Sequence, residues 1–473
     1  MSLGMGGGGT AYVDGYHANF INPANLMINQ GNNTNMTIGV MGGLGVKAGG
    51  TLMNFSVYND YLTNGNTING QLRENMINDW FGSGYSDMKE ISTTVNVVPL
   101  GFALKKKDYA FSVATRARAI IDADVNRGLA ELAFYGADAE KFANPVPVNF
   151  VSHSVSFAEI SIGYARQVME IPTLLFARDI KIYAGVAPKY IMGMQSVSME
   201  MNSTLQVTQT TPTQQGKVIH IFDYSLETIG DLSNQLQDFE EARNTQSDAN
   251  FDDYVDYDGS DAASVQASGF GLDMGVTAEM DVSNTLFFLN FFGDEKILRL
   301  SMSLTDFGSI KYDNSASRVY ADGIFEYTGA VGEDDPEDYF DNLVDSLDHD
   351  IYGNFDSKDL GSIKYTLPGM YNFGASLEVG KLTTAIDYGF GFNDHGTNSK
   401  RSVLNLGLEY RFFGFVPVRM GTRIGGYSSA AYSFGLGLDF RHFEFTLAGS
   451  TVGNSSNNGS SVSMAWSGLV LRF

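Results

Sequence analysis

The sequence predicts an all-β protein, a closed antiparallel β-barrel of the membrane-spanning kind. Three observations carry that prediction. Apolar and polar residues alternate with period two in one segment after another. The connections between segments fall into a tight set and a long, polar set, the asymmetry of barrels that cross a membrane. No run approaches the ~20 apolar residues that a membrane helix needs.

The segments bear this out in order. Tyr109, Phe111 and Val113 share one face of a strand, with Ser112, Arg116 and Arg118 on the other. Ile160, Ile162 and Tyr164 oppose Glu159, Ser161 and Gly163, and Lys189 falls on the polar face of the next strand. Leu272, Met274 and Val276 oppose Asp273, Gly275 and Thr277, and Leu298 to Leu304 oppose Arg299, Ser301 and Ser303. Further on, Leu404, Leu406 and Leu408 oppose Glu409 and Arg411, Val418 and Met420 oppose Arg419 and Arg423, and Phe434 to Phe440 oppose Asp439 and Arg441. One face apolar and the other charged assigns the first to lipid and the second to a lumen. A soluble sandwich rarely sets Arg and Glu against Leu over so many strands. In hydrocarbon every backbone group needs a partner, so the sheet must close on itself. Segmentation by alternation gives about 14 to 17 strands. The longest apolar run, TLFFLNFFG at 285–293, is of strand size.

Short turns at 105–108, 379–381 and 441–444 alternate with long inserts near 59–90, 122–150, 226–267, 325–361 and 391–400. Two inserts carry helical stripes: Leu226, Ile229, Leu232, Leu236 and Phe239 in the first, and Phe340, Leu343, Val344 and Leu347 in the second. Those stripes cover either the barrel's own rim or a partner protein. The final strand places Leu469, Leu471 and Phe473 on one face, with Ser467 interrupting it and Trp466 expected near the opposite interface. Phe473 is expected to mark the strand for barrel-assembly machinery. Residues 1–9 hold no signal peptide, so an exported chain would be in its processed form.

Composition limits the function. The 473 residues carry a net charge of −24, which argues against nucleic acid as a partner. There is no Cys, hence no disulfide framework and no thiolate chemistry. The six His are scattered without metal-ligand spacing, and neither a nucleophile elbow nor a phosphate loop is present. Asp394 beside His395 reads as a solvated loop pair. No cofactor is expected. Asp252, Asp253, Asp256, Asp258 and Asp261 form either a solvated acidic loop or a weak Ca²⁺ site, with spacing unlike an EF-hand. Arg116, Arg118, Glu159, Lys189, Asp273, Arg299, Glu409, Arg411, Arg419, Arg423, Asp439 and Arg441 point into the lumen, a net basic set. It would either draw anionic ligands or fill the interior with Arg–carboxylate pairs.

The segment GGTAYVDGYHANFINPANLM (8–27) resembles the N-terminal signature of FadL/PorV-type outer-membrane barrels, through Thr10, Ala11, Asp14, Asn22, Pro23 and Ala24. Gly6 to Gly9 and Pro23 suit a segment folded into a confined space. FAEISIGYARQV (157–168), IKIYAGVAPKYIMGM (180–194), GFGLDMGV (269–276) and LRLSMSLTDFGSIKY (298–312) are similar, in that order, to an uncharacterised family of Bacteroidetes outer-membrane proteins related to PorV. The resemblance implies a FadL-like barrel of about 14 strands over residues 35–473, with residues 1–34 as a hatch in its lumen. It implies the bacterial outer membrane as the location, and a non-enzymatic role. That role is a PorV-like subunit or docking partner of an export or assembly complex, or alternatively FadL-like passive transport of hydrophobic small molecules. For transport, Phe20, Ile21, Leu26 and Met27 would help to form a greasy pocket. The implied partners are outer-membrane lipid, the assembly machinery and other outer-membrane or periplasmic proteins.

Overall fold

The computed structural model describes residues 1–473 apart from 30–34, 64, 66–67, 137–139, 176, 209–215, 246–252, 255–263, 313–315, 329–352, 396–397, 427, 441 and 453–458. Its strands are β1 (Met36–Gly50), β2 (Met88–Lys105), β3 (Tyr109–Asn126), β4 (Val146–Leu174), β5 (Ala177–Thr208), β6 (Lys217–Ile229), β7 (Ala267–Asp281), β8 (Lys296–Tyr312) and β9 (Ala316–Thr328). Then follow β10 (Gly353–Asp359), β11 (Ile363–Thr366), β12 (Met370–Val379), β13 (Leu382–Gly391), β14 (Val403–Phe412), β15 (Val416–Gly425), β16 (Ser428–Phe440), β17 (Phe443–Val452) and β18 (Ser460–Arg472).

All pairings are antiparallel, and fourteen strands close the ring: β1 to β5, then β7, β8 and β12 to β18. Closure is made by β18 on β1, with Thr37 opposite Arg472 and Gly50 opposite Ser460. The remaining strands stand outside the ring. β5 is 32 residues long, and only its first half pairs with β7. Its second half overruns the barrel and carries β6, which pairs in turn with β9, and β9 with β10. β11 extends the same region on β8. Among the described residues no helix is long and apolar enough to cross a membrane.

Tight turns gather at one rim, between β2 and β3, β12 and β13, β14 and β15, and β16 and β17. At the other rim, helices Gly70–Phe81 and Arg127–Tyr135 fill the long connections. Asn126 caps the second helix by accepting the Leu129 N–H at 3.0 Å. The two helices are joined by Arg127, which binds Glu131 at 2.7 Å and Asn78 at 2.6 Å. Lys141 binds Glu74 at 2.5 Å and holds that carboxyl below the usual carboxylate range.

Two expectations change. The apolar run 285–293 is not a strand: it connects β7 to β8 and holds a single turn, Phe287–Leu289. Turn chemistry overrides its apolarity, since Ser283 N–H bonds Asp281 and Leu286 adopts a φ of 51°. The first helical stripe is split, because Leu226 and Ile229 lie on β6, and the helix is Asp231–Thr245 after a turn at Gly230 with φ of 69°. Leu236 and Phe239 are buried, and their helix lies against β6, β9 and β10, so it packs on its own chain. The second stripe, 340–347, lies outside the described residues, as do Arg441, Asp252, Asp256, Asp258 and Asp261; Asp253 is exposed.

Candidate functional site

The lumen is occupied by the chain's own first 29 residues. Three single turns, Ser2–Met5, Gly15–Phe20 and Pro23–Met27, carry the segment from the β14–β17 wall across to β2–β5 and β7. Inward glycines make room for it. A Cβ at Gly421 would lie 2.3 Å from the Gly6 nitrogen, and one at Gly407 would lie 2.7 Å from Met5. On the far wall, a Cβ at Gly163 would lie 2.1 Å from Asn19 Oδ1, one at Gly185 2.4 Å from the Ala24 nitrogen, and one at Gly275 2.1 Å from Asn22 Oδ1. The glycines that alternate with apolar residues along these strands are therefore the seat of the segment.

Hydrogen bonds fix the segment in place. Thr10 N–H donates to Asp387 at 2.8 Å, and Ser376 donates to the Ala11 carbonyl at 2.9 Å. Asn22 donates to the Thr10 carbonyl at 2.8 Å and to Thr277 at 2.9 Å, and its oxygen caps the turn at the Ala24 N–H. Pro23 takes the first position of that turn, where its missing N–H costs nothing. Asp14 pairs with Arg472 of the closing strand at 3.2 Å. Each of Thr10, Ala11, Asp14, Asn22, Pro23 and Ala24 is buried.

The lumen charges fall into clusters. In the first, Arg116 and Arg118 reach Asp306 at 3.0 and 2.6 Å, Lys189 reaches Asp273 at 2.9 Å, and Arg116 also contacts Glu159. The hub of this cluster, Asp306, is a residue that alternation misses. Following the β8 pattern it would face lipid, but the register shifts between Leu272 and Met274, and Asp306 takes a φ of 53° and turns inward. A charge on an otherwise apolar face was the available signal. In a second cluster Glu409 binds Arg411 at 2.8 Å and Arg419 at 2.6 Å, and Arg411 also meets Asp439. In a third, Arg299 binds Glu279 at 2.7 Å, Glu378 at 2.9 Å and the Asn29 carbonyl at 2.9 Å. Asp306, Glu279 and Glu378 thus neutralise most of the basic excess that the sequence reading gave to the lumen, while Asp14 and Glu444, at 3.2 and 2.5 Å, neutralise Arg472, a further inward cation.

Two cations stand apart. Lys47 on β1 and Arg423 on β15 line one cavity of about 560 Å³, and neither makes an ion pair among the described residues. The Asn405 side-chain oxygen, beside Arg423 in register, is buried without a hydrogen-bond partner in the same cavity. The rest of the cavity lining is mixed: Val13, Phe20, Ile21 and Ile120 are apolar, Arg116, Arg118, Asp306, Glu444 and Arg472 bring paired charges of the lumen, and Asp387 brings a further carboxylate. Leu26 and Met27 are buried against the wall and do not line it. Its lining extends to Leu44 and Trp466, beside the place where β1 loses register with β18 between Val40 and Leu44.

The other candidate residues are placed plainly. Asp394 binds Lys400 at 3.3 Å, and the His395 ring packs 5.1 Å from Tyr365. Among the described residues no group of three or more His, Cys, Asp or Glu is placed to hold a metal. Phe473 packs 5.8 Å from His442, and its carbonyl accepts the Asn35 and Met36 N–H groups at 2.8 and 3.0 Å. The interruption at Ser467 is a bulge. Trp466 and Leu469 both face outward, and Ser467 Oγ bridges the irregularity by accepting the Thr446 N–H at 2.8 Å.

Solved structures similar to this one include the toluene transporter TodX of P. putida, at 11% identity and a TM-score of 0.49 over 100% of this chain and 98% of that one. The Ralstonia pickettii toluene transporter TbuX gives 12%, 0.44, 100% and 97%, and a Pseudomonas aeruginosa FadL homologue 9%, 0.39, 100% and 97%. The comparison with curated proteins gives no match. A family model does match, over residues 23–449, which takes in the Asn22-Pro23-Ala24 turn from its proline onward and all but the last of the barrel's strands in full or in large part. The chain belongs to the family of unknown function DUF5723.

Proposed function

We propose that this chain is a non-enzymatic outer-membrane conduit through which small, largely apolar molecules pass by way of the cavity beside its N-terminal segment. The observation that carries the reading is that cavity. Its volume of about 560 Å³ suits a small molecule, and Phe20, Ile21 and Val13 of the N-terminal segment give its lining apolar contacts. The segment acts as a hatch, because it is seated on glycines and held by hydrogen bonds at both walls. Lys47 and Arg423, which line the cavity without an ion pair among the described residues, favour a solute with a polar or anionic end. The broken register beside Leu44 and Trp466 marks the direction of exit, through the β1–β18 seam. A docking role in an export complex has less to support it, since the helix Asp231–Thr245 covers its apolar stripe on its own chain.

The test is uptake by cells with an intact lipopolysaccharide leaflet, with and without the chain, using labelled naphthalene and sucrose as the polar comparator. Naphthalene entry should rise and sucrose entry should not. Equal naphthalene entry with and without the chain would overturn the conduit. A parallel rise in sucrose would replace it with an open aqueous pore.

A further inference from the structure

The connection between β7 and β8 exposes four aromatic rings at the tight-turn rim. Phe291 is 90% exposed, Phe288 78% and Phe287 68%, with Phe292 beside them. Free rings on a soluble loop would be costly, and among the described residues nothing covers them. Its base is not loose, however. Val282 is 2% exposed and packs on Ile182, Met280, Leu298 and Leu377. Those residues alternate with the luminal Glu279, Arg299 and Glu378, so Val282 sits on the outer face of the barrel. Gly293 continues on that side and approaches Gly380 so closely that a Cβ on it would lie 2.8 Å from the Gly380 Cα. The loop therefore folds outward over the lower edge of the apolar band that Leu300 and Met302 continue upward.

Several of its polar groups are satisfied from within. Lys296 is fully buried and donates to Asn290 Oδ1 at 2.7 Å and to the Ser283 carbonyl at 3.2 Å. The N–H groups of Leu289, Asn290 and Phe292 donate to carbonyls of the same loop at 2.9 to 3.1 Å. A loop that keeps its own backbone hydrogen-bonded can enter an apolar boundary without orphaned donors. Aromatic side chains are favoured at that boundary.

We propose that residues 284–292 form an interfacial anchor, whose Phe side chains insert into the boundary between headgroups and acyl chains of the leaflet at the tight-turn rim. The occupant is lipid, because the rings stand at the edge of the barrel's lipid-facing band, with the exposed Asp294 and Glu295 beside them on the water side of the boundary. This rests on the membrane-spanning reading of the barrel, and extends it to a loop that no strand accounts for. The anchor is one-sided, and so fixes how the barrel stands in the bilayer on the β7–β8 flank.

The chain has no Cys, so Phe291→Cys carries a single environment-sensitive nitrobenzoxadiazole label, with Phe288→Cys as a second site and Lys107→Cys, on the exposed β2–β3 turn, as the reference. Heat-modifiable mobility first establishes that each labelled barrel is folded in phosphatidylethanolamine–phosphatidylglycerol vesicles. The labels at 288 and 291 should emit to the blue of that at 107 and lose quenching by aqueous iodide. They should be quenched more by a lipid nitroxide near the headgroup than by one at the acyl terminus. Iodide access equal to that at 107 would overturn the anchor. Protection that appears only in native membranes, and not in pure lipid, would also overturn it and assign the rings to a protein.

Discussion

The two halves of the barrel are built differently. From β12 to β15, and in β17, each strand is 10 residues long. That is the length that a tilted strand needs to cross a bilayer, about 9–11 residues. On the other side β4 and β5 run for 29 and 32 residues, carry register shifts at Ser156/Phe157 and Gln167/Met169, and support β6 and β9 beyond the ring. In the short half one rule, alternation, decides most side chains, with register shifts at Arg423/Gly425 and Glu444/Thr446 near strand ends. In the long half it is interrupted by bulges and then by a second environment beyond the membrane. Each half also buries its own charge cluster, and the N-terminal segment is seated on both. The contrast shows that regularity follows from the bilayer, and that departures mark where the strand has another task.

The largest expected effect lies in the long half. Asp306 serves Arg116, Arg118 and Lys189, and with Glu159 and Asp273 it balances their three charges. Asp306→Asn leaves a buried cation uncompensated, a loss of about 3–5 kcal/mol. Glu409→Gln in the short half should cost less, because Arg411 keeps Asp439 and Arg419 keeps a hydrogen bond to Thr446. Urea unfolding in detergent, followed by the loss of heat-modifiable barrel, ranks the two. The reverse order would mean that the Asp306 bulge is incidental to the cluster.

That ranking bears on what was legible in the sequence. Alternation placed Arg411, Arg419 and Glu409 in the lumen because no register shift breaks the β14–β15 ladder. It passed over Asp306, because a bulge inverts which face a residue takes, and over the run 285–293, because apolarity alone does not distinguish a strand from a loop that lies against lipid. The glycine seat was visible as residues, Gly407 and Gly421 among them, but not as a seat. Space for a ligand or a plug appears only once opposite walls are brought together.

Charge on the outer face is the next test, and here the halves should agree. Met302→Arg in β8 and Leu436→Arg in β16 each replace an exposed outward side chain. Each should cost about 2–4 kcal/mol if it lies near the bilayer midplane. Refolding yields and unfolding midpoints in lipid vesicles measure both. Indifference at Met302 alone would move β8 out of the membrane and break the proposed lipid-facing band.

A smaller effect is expected from crowding the glycine seat. Gly407→Val would drive a side chain into Met5 of the segment, whereas a Cβ at Gly45 meets nothing within 4 Å. Overpacking costs about 1–3 kcal/mol, and here the segment, not the ring, yields to it. The Gly407→Val barrel should therefore unfold near the wild-type midpoint but show higher single-channel conductance, and Gly45→Ala should change neither. Unchanged conductance with a lowered midpoint would make the segment part of the barrel's structure and not a hatch.

The smallest effect separates the ring from the strands beyond it. His220 lies on β6, outside the ring, buried and 3.0 Å from the Tyr224 hydroxyl. Burial lowers its pKa from an ordinary 6.5 to about 4, since desolvation disfavours the charged imidazolium. A histidine held neutral in the folded state stabilises it fully above the unfolded pKa. That contribution is lost as pH falls from about 6.5 toward 4. Acid should therefore loosen β6 and its partners β5 (198–208) and β9 first, because protons bind the opened form more tightly. Amide exchange, corrected for its intrinsic pH dependence, should rise in 217–229 over that interval while exchange in β14 and β15 stays fixed. His220→Phe, which cannot take up a proton, should remove the pH dependence from 217–229. If exchange rises equally in β14, the overhanging strands and the ring open as one unit, and the division of the molecule into a bilayer-set half and an overrunning half fails.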